Sequence, residues 1–163
     1  MVDVIGGIDV YSDTAFNSFH IPGWFVSKGI NHLDGKKALA YSRERYAYVS
    51  GDRHRGQNQQ DVISAIIKKT TSSKVLLTKY NDILGTLDGS FQTNMPTTMV
   101  NDFIKYQLNE MPSWNVNSIS VSGSDAHDYT YSFGTNQKLY VMVPYEADII
   151  NAKSKLNEVL NEK

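Results

Sequence analysis

The chain has 163 residues and a formal net charge of −1, enough for one domain or most of one. Hydrophobic residues at 40% and charged residues at 20% are the shares of a globular protein that buries its own core. The near-neutral balance excludes a global field for nucleic acid or anionic membrane, and the absence of cysteine excludes disulfides, thiol nucleophiles and thiolate metal sites. Any anion site must therefore be local.

In chain order, Val2 to Ile5 reads as the end of an element, Gly6-Gly7 as a turn, and the alternation Ile8-Asp9-Val10-Tyr11 as a short strand. Residues 12–34 read as irregular, with Pro22-Gly23 and Gly29 as breakers and Phe16, Phe19, Trp24 and Phe25 packing on something apolar. Asp34-Gly35 leads into a short helix over 36–41, and residues 46–56 read as a loop. A helix is predicted from Gln57 to Ser72, with an apolar stripe of Val62, Ile63, Ile66 and Ile67. A second fits 74–87, with Leu76, Leu77, Tyr80, Ile83, Leu84 and Leu87 inward and Asp88-Gly89 as its end. A third follows Pro96, turns Met99, Val100, Phe103, Ile104 and Leu108 inward, and stops at Pro112.

The remainder changes character. Val116 to Ser122 alternates strictly and predicts a strand, 123–136 a polar and aromatic loop, Leu139–Val143 a strand, and 146–160 an amphipathic helix. Asp125-Ala126-His127-Asp128 reads as a solvated turn, and the four histidines show no metal-ligand spacing. The mixture indicates an α/β or α+β layered domain: a central mixed β-sheet flanked by amphipathic helices. The longest apolar runs are far too short to span a bilayer. No signal peptide precedes Val2–Gly7, which reads like the interior of a domain, so the expectation is a piece of a longer chain.

All four arginines lie between positions 43 and 55, whereas the twelve lysines are scattered. Arginine presents a rigid planar fork of donors that grips phosphate or carboxylate at two points. Arg43 and Arg45 are two apart, so on an extended stretch they share one face. Arginines set just before a helix starting near Gln57 would also gain from its free N–H groups. The segment therefore reads as a phosphate-type anion site. The competing reading is a solvated surface in which the arginines pair with Glu44, Asp52 and Asp61.

Three ordered blocks carry a resemblance. Val2-Asp3-Val4-Ile5-Gly6-Gly7-Ile8-Asp9-Val10, then Leu33-Asp34-Gly35 through Tyr41-Ser42-Arg43, then Gly51-Asp52 with Arg55 and Gln59 resemble successive signatures of the LytR–CpsA–Psr family. The likeness looks nearest to streptococcal capsule-biosynthesis members, and the blocks cover residues 2–60. The resemblance implies that residues 1–163 are the C-terminal part of a single such domain, incomplete at its N-terminus.

It further implies a membrane-anchored enzyme on the extracytoplasmic face of the plasma membrane. Such an enzyme moves a capsular or wall glycan from undecaprenyl pyrophosphate to a peptidoglycan acceptor, with no nucleic-acid partner. By the matching positions, Arg43, Arg45 and Arg55 bind the pyrophosphate, Arg43 and Arg45 serve catalysis, Gln59 sits near the head group, and Asp52 orients Arg55. Mg²⁺ is implied, with its ligands expected in the missing N-terminal half, so the chain alone is expected not to turn over substrate. The alternative function is a non-enzymatic module that binds lipid-linked glycans and regulates capsule assembly. Such proteins have also been labelled transcriptional regulators, but the chain is slightly acidic and has no basic recognition helix. The helices over 59–108 could line an apolar tunnel for the prenyl chain, although such stripes also serve as ordinary core.

Overall fold

The computed structural model describes residues 1–49, 51–87 and 93–161, with the side chains at 73, 74, 76, 77, 80, 84, 87 and 97 left aside. The chain, read from its sequence as part of one domain, divides into two compact units, residues 1–116 and 117–163.

In the first unit, β1 (Ile8–Ser12) alternates as predicted, burying Ile8, Val10 and Ser12. It pairs antiparallel with β4 (Gly29–Leu33), with Ile8 opposite Leu33 and Ser12 opposite Gly29. Between them, β2 (Phe16–Asn17) pairs with β3 (Phe25–Val26), so the stretch expected to be irregular is a nest of two short hairpins. The pairs are too short for a period-2 pattern to show, which hid them from the sequence. Gly7 lies at φ 81°, and a Cβ there would run into the His32 ring, so the turn into β1 needs glycine.

Helix α1 (Gly35–Arg43) starts on Asp34, whose side chain accepts a hydrogen bond from the Lys37 N–H at 2.8 Å. Asp3 accepts from the Gly35 N–H at 2.8 Å, and a Cβ on Gly35 would meet that carboxylate. The first two sequence blocks are thus locked together. The helix buries Ala38, Ala40 and Tyr41 on a core with Ile5, Ile8, Val10, Phe16, Val26 and Leu33.

Helix α2 (Asp52–Thr70) begins five residues earlier than predicted, so much of the expected loop is its first turns. Val62 is buried and Ile66 packs on the core, whereas Ile63 is exposed, so the predicted stripe is narrower than four residues. Helix α3 (Ser73–Leu87) buries Ile83; the other predicted inward residues, Leu76, Leu77, Tyr80, Leu84 and Leu87, and the Asp88-Gly89 stop lie outside the described side chains or residues. Helix α4 (Thr97–Glu110) turns Val100, Ile104 and Gln107 inward but leaves Met99 and Phe103 exposed, which corrects the predicted face. Gln107 replaces an apolar contact with polar ones: its amide donates to the Thr71 carbonyl and accepts from the Trp114 indole.

In the second unit, β5 (Gly123–Thr130) and β6 (Gly134–Pro144) form an antiparallel hairpin, followed by α5 (Glu146–Asn161). The predicted strand over 116–122 carries no ladder; the strand lies one segment later, where a loop was expected. Asp125 to Asp128, read as a turn, sit within β5. The mixed α/β class stands. Its strands among the described residues form three two-stranded antiparallel sheets in place of one central mixed sheet. No described helix is long and apolar enough to cross a membrane.

Candidate anion-binding site

The arginine segment starts where α1 ends. Glu44 is its C-cap, with extended backbone at φ −66° and ψ 129°, where the chain leaves the helix. Glu44 turns inward and is only 1% exposed, while Arg43 and Arg45 face solvent. Its carboxylate accepts three backbone N–H bonds: from Phe19 at 2.9 Å, and from Arg45 and Tyr46 at 3.1 Å each. The acid expected on the surface pairing reading to neutralise the arginines is therefore spent on the backbone. Arg43, in the last helical turn, also stands at the negative end of the α1 dipole, which favours a cation there.

Arg45 is held in a definite posture. Its Nη2 donates to the Tyr46 hydroxyl at 2.8 Å, and its guanidinium lies 4.7 Å from the Tyr46 ring centroid. The bond to Tyr46 pushes its pKa up, so it stays cationic.

Arg55 and Gln59 lie one turn apart on α2 and so share a face. Arg55 makes an ion pair with Asp52 at 2.7 Å, the pairing expected from the sequence. Both partners are partly exposed, so the pair orients the guanidinium more than it stabilises the fold. Because α2 starts at Asp52, Arg53 and Arg55 belong to its first turns and do not precede it, as the sequence suggested. The two helices are tied by Asn58, fully buried, whose amide donates to the Tyr41 carbonyl at 3.2 Å and satisfies an end group of α1. That bond keeps the end bearing Arg43 and Arg45 close to the helix bearing Arg55 and Gln59.

His54 points elsewhere. Its ring stacks on Tyr48 with centroids 3.5 Å apart, and its Nε2 lies 3.7 Å from Asp13. It lines a cleft of about 430 Å³ between β1 and α2, together with Asp9, Asp13, Tyr41, Gln57 and Asp61. Its three aspartates against one lysine, Lys68, favour a cation there over a phosphate, which separates it from the arginine surface. Burial pushes the Tyr41 and Tyr48 phenols up. Among the described residues, no group of three or more His, Asp or Glu side chains could hold a metal ion.

Sequence reasoning gave Glu44 only a surface pairing role and passed over Asn58 and Tyr46. The alternation rule that put Arg43 and Arg45 on one face also puts Glu44 on the other, so that signal was available. A buried asparagine inside a helix leaves no comparable pattern.

Residues 1–148 match the LytR_cpsA_psr family. The polyisoprenyl-teichoic acid–peptidoglycan teichoic acid transferase TagU of Bacillus mycoides is 34% identical over 127 residues, 78% of this chain and 40% of that protein. Among solved structures, TagU of B. subtilis is 28% identical with a TM-score of 0.64, matched over 99% of this chain and 60% of the TagU chain. TagV of B. subtilis is 25% identical with a TM-score of 0.71, matched over 99% of this chain and 59% of the TagV chain. The chain thus spans about 40% of the length of the curated relative. These matches carry the likeness past the blocks at 2–60 into the later helices and hairpin, and the chain belongs to the LytR_cpsA_psr family.

Proposed function

We propose that this protein takes part in transferring a glycopolymer from a polyprenyl pyrophosphate carrier to peptidoglycan, and that this chain supplies the surface that grips the pyrophosphate. The observation that carries the reading is the inward turn of Glu44, which leaves Arg43 and Arg45 as a cationic pair without a neutralising neighbour between them. The similarity to TagU, a polyisoprenyl-teichoic acid–peptidoglycan teichoic acid transferase, supports the reaction class.

In this reading an acceptor hydroxyl oxygen bonds to the glycan-bearing phosphorus and loses its proton to water, as the bond from that phosphorus to the carrier phosphate breaks. Charge gathers on the departing polyprenyl phosphate, and Arg43 and Arg45 neutralise it, while Arg55 and Gln59 hold the head group and Asp52 aims Arg55. The Mg²⁺ implied by the resemblance has no ligand set among the described residues. The glycopolymer is capsular or another wall polymer, and the reaction proposed places the protein on the extracytoplasmic face, anchored in the membrane.

Transfer by the full-length protein tests the reading. Arg43→Ala and Arg45→Ala should each cut turnover about a hundredfold, the scale of losing one charge-stabilising donor. Undiminished transfer in both variants would overturn the catalytic roles of Arg43 and Arg45, and absence of transfer by the wild-type protein would favour the non-enzymatic binding module.

A further inference from the structure

Beside the two arginines lies a group of exposed rings that the pyrophosphate reading leaves unused. Phe19 is 64% exposed and Tyr46 58% exposed, although large aromatic rings ordinarily seek burial. Their centroids are 4.4 Å apart, and the His20 ring stands edge-on to Phe19 at 5.5 Å. The Arg45 guanidinium completes the surface over the Tyr46 ring.

Side-chain bonds tie the backbone that carries the rings to the arginine segment. Glu44 holds the Phe19 N–H and the Tyr46 N–H on its two oxygens, and the His20 Nε2 lies 3.1 Å from the Arg43 carbonyl oxygen. The buried Ser18 hydroxyl accepts from the His20 and Ile21 N–H groups at 3.2 Å each, which sets the loop from within. Phe19, His20, Arg45 and Tyr46 are therefore one preorganised surface, tied to the Arg43 backbone and at little ordering cost to a ligand.

We propose that the Phe19–Tyr46 surface is a sugar subsite, where the pyranose ring attached to the pyrophosphate stacks while Arg43 and Arg45 hold the phosphates. This rests on the pyrophosphate reading and names the group next to it. A pyranose has an apolar C–H face and a polar rim, which suits the exposed Phe19 ring with an imidazole edge-on to it and a guanidinium over the neighbouring Tyr46 ring. A prenyl chain needs an enclosed apolar cavity, and these rings are open to solvent.

Calorimetric titration of the whole chain tests it with two probes: geranyl pyrophosphate, and the same compound bearing one N-acetylglucosamine on its terminal phosphate. The sugar should tighten binding about fivefold, the size of one ring contact. Phe19→Leu keeps an apolar side chain but removes the ring face; it should abolish that gain and leave the bare probe's affinity unchanged. A sugar gain that persists in Phe19→Leu, or equal loss of both probes, would overturn the subsite. If the bare probe binds through Arg43 and Arg45 and the sugar adds nothing, the subsite fails and the pyrophosphate site stands. If wild-type chain binds neither probe, both fail. Unchanged far-ultraviolet dichroism would show that the exposed substitution leaves the fold intact.

Discussion

Residues 1–49 and residues 117–163 use polar side chains in opposite ways. In the first, Asp3, Ser18, Asp34 and Glu44 each accept backbone N–H groups at a turn or helix end. In the second, the hairpin ladder satisfies the backbone, the polar side chains of β5 mostly face solvent, and α5 buries no residue. Asp148, which accepts from the Ser122 N–H at 2.9 Å, is an exception there. The comparison teaches where a polar residue fixes geometry and where it merely tolerates it. The arginine surface sits on the region of the first kind.

The largest expected effect is at Glu44. Glu44→Ala strands three backbone donors and should cost about 2–4 kcal/mol of stability, the range for a lost acceptor at buried, charge-assisted bonds. Urea unfolding measures it, and a loss under about 0.5 kcal/mol would mean the carboxylate is dispensable, as ordinary surface groups are. Next is Asn58→Ala, expected to cost about 1–3 kcal/mol because the Tyr41 carbonyl loses a buried donor. A nuclear magnetic resonance shift map should then show disturbance at both Arg43 and Arg55. Confinement of the shifts to α2 would break the proposed tie between the helices.

A pH dependence sharpens the picture of the core beneath the site. Burial raises the Tyr41 and Tyr48 phenols in the folded state, so the unfolded chain gives up its protons first as pH climbs past about 10. Stability is therefore full below that pH and falls above it. Tyr41→Phe should flatten the fall in melting temperature between about pH 9 and pH 11, since one of the two raised phenols is gone. An unchanged slope would remove Tyr41 as the cause. The smallest effect is expected in the second unit, where Asp148→Ala should cost at most about 1 kcal/mol, the worth of an exposed capping bond.

The same contrast explains what the sequence allowed. The helix start at Asp34 and the turn at Gly6-Gly7 were legible because local chemistry decides them: a side-chain cap and backbone positions of positive φ. The outward placement of Arg43 and Arg45 is seen in their exposure, although Arg43 ends a helix where an extended stretch was expected. The strand β5 was not legible, because Gly123 to Thr130 has no apolar alternation and becomes a strand by pairing with β6. Gly123 itself is required there, since a Cβ would collide with the Val143 carbonyl across the ladder, a constraint from a residue twenty positions away. The start of α2 was misplaced because Gly51 caps it without a side-chain bond, so no capping signature marked Asp52 as its first residue.

The most direct test of the central claim is a calorimetric titration of the chain with geranyl pyrophosphate, with and without the arginines. The wild-type chain should bind, more weakly as salt rises, and Arg43→Gln and Arg45→Gln should each weaken binding about tenfold or more, the worth of one charge-assisted phosphate contact. Equal affinity in wild type and both variants would contradict the assignment of this surface to pyrophosphate.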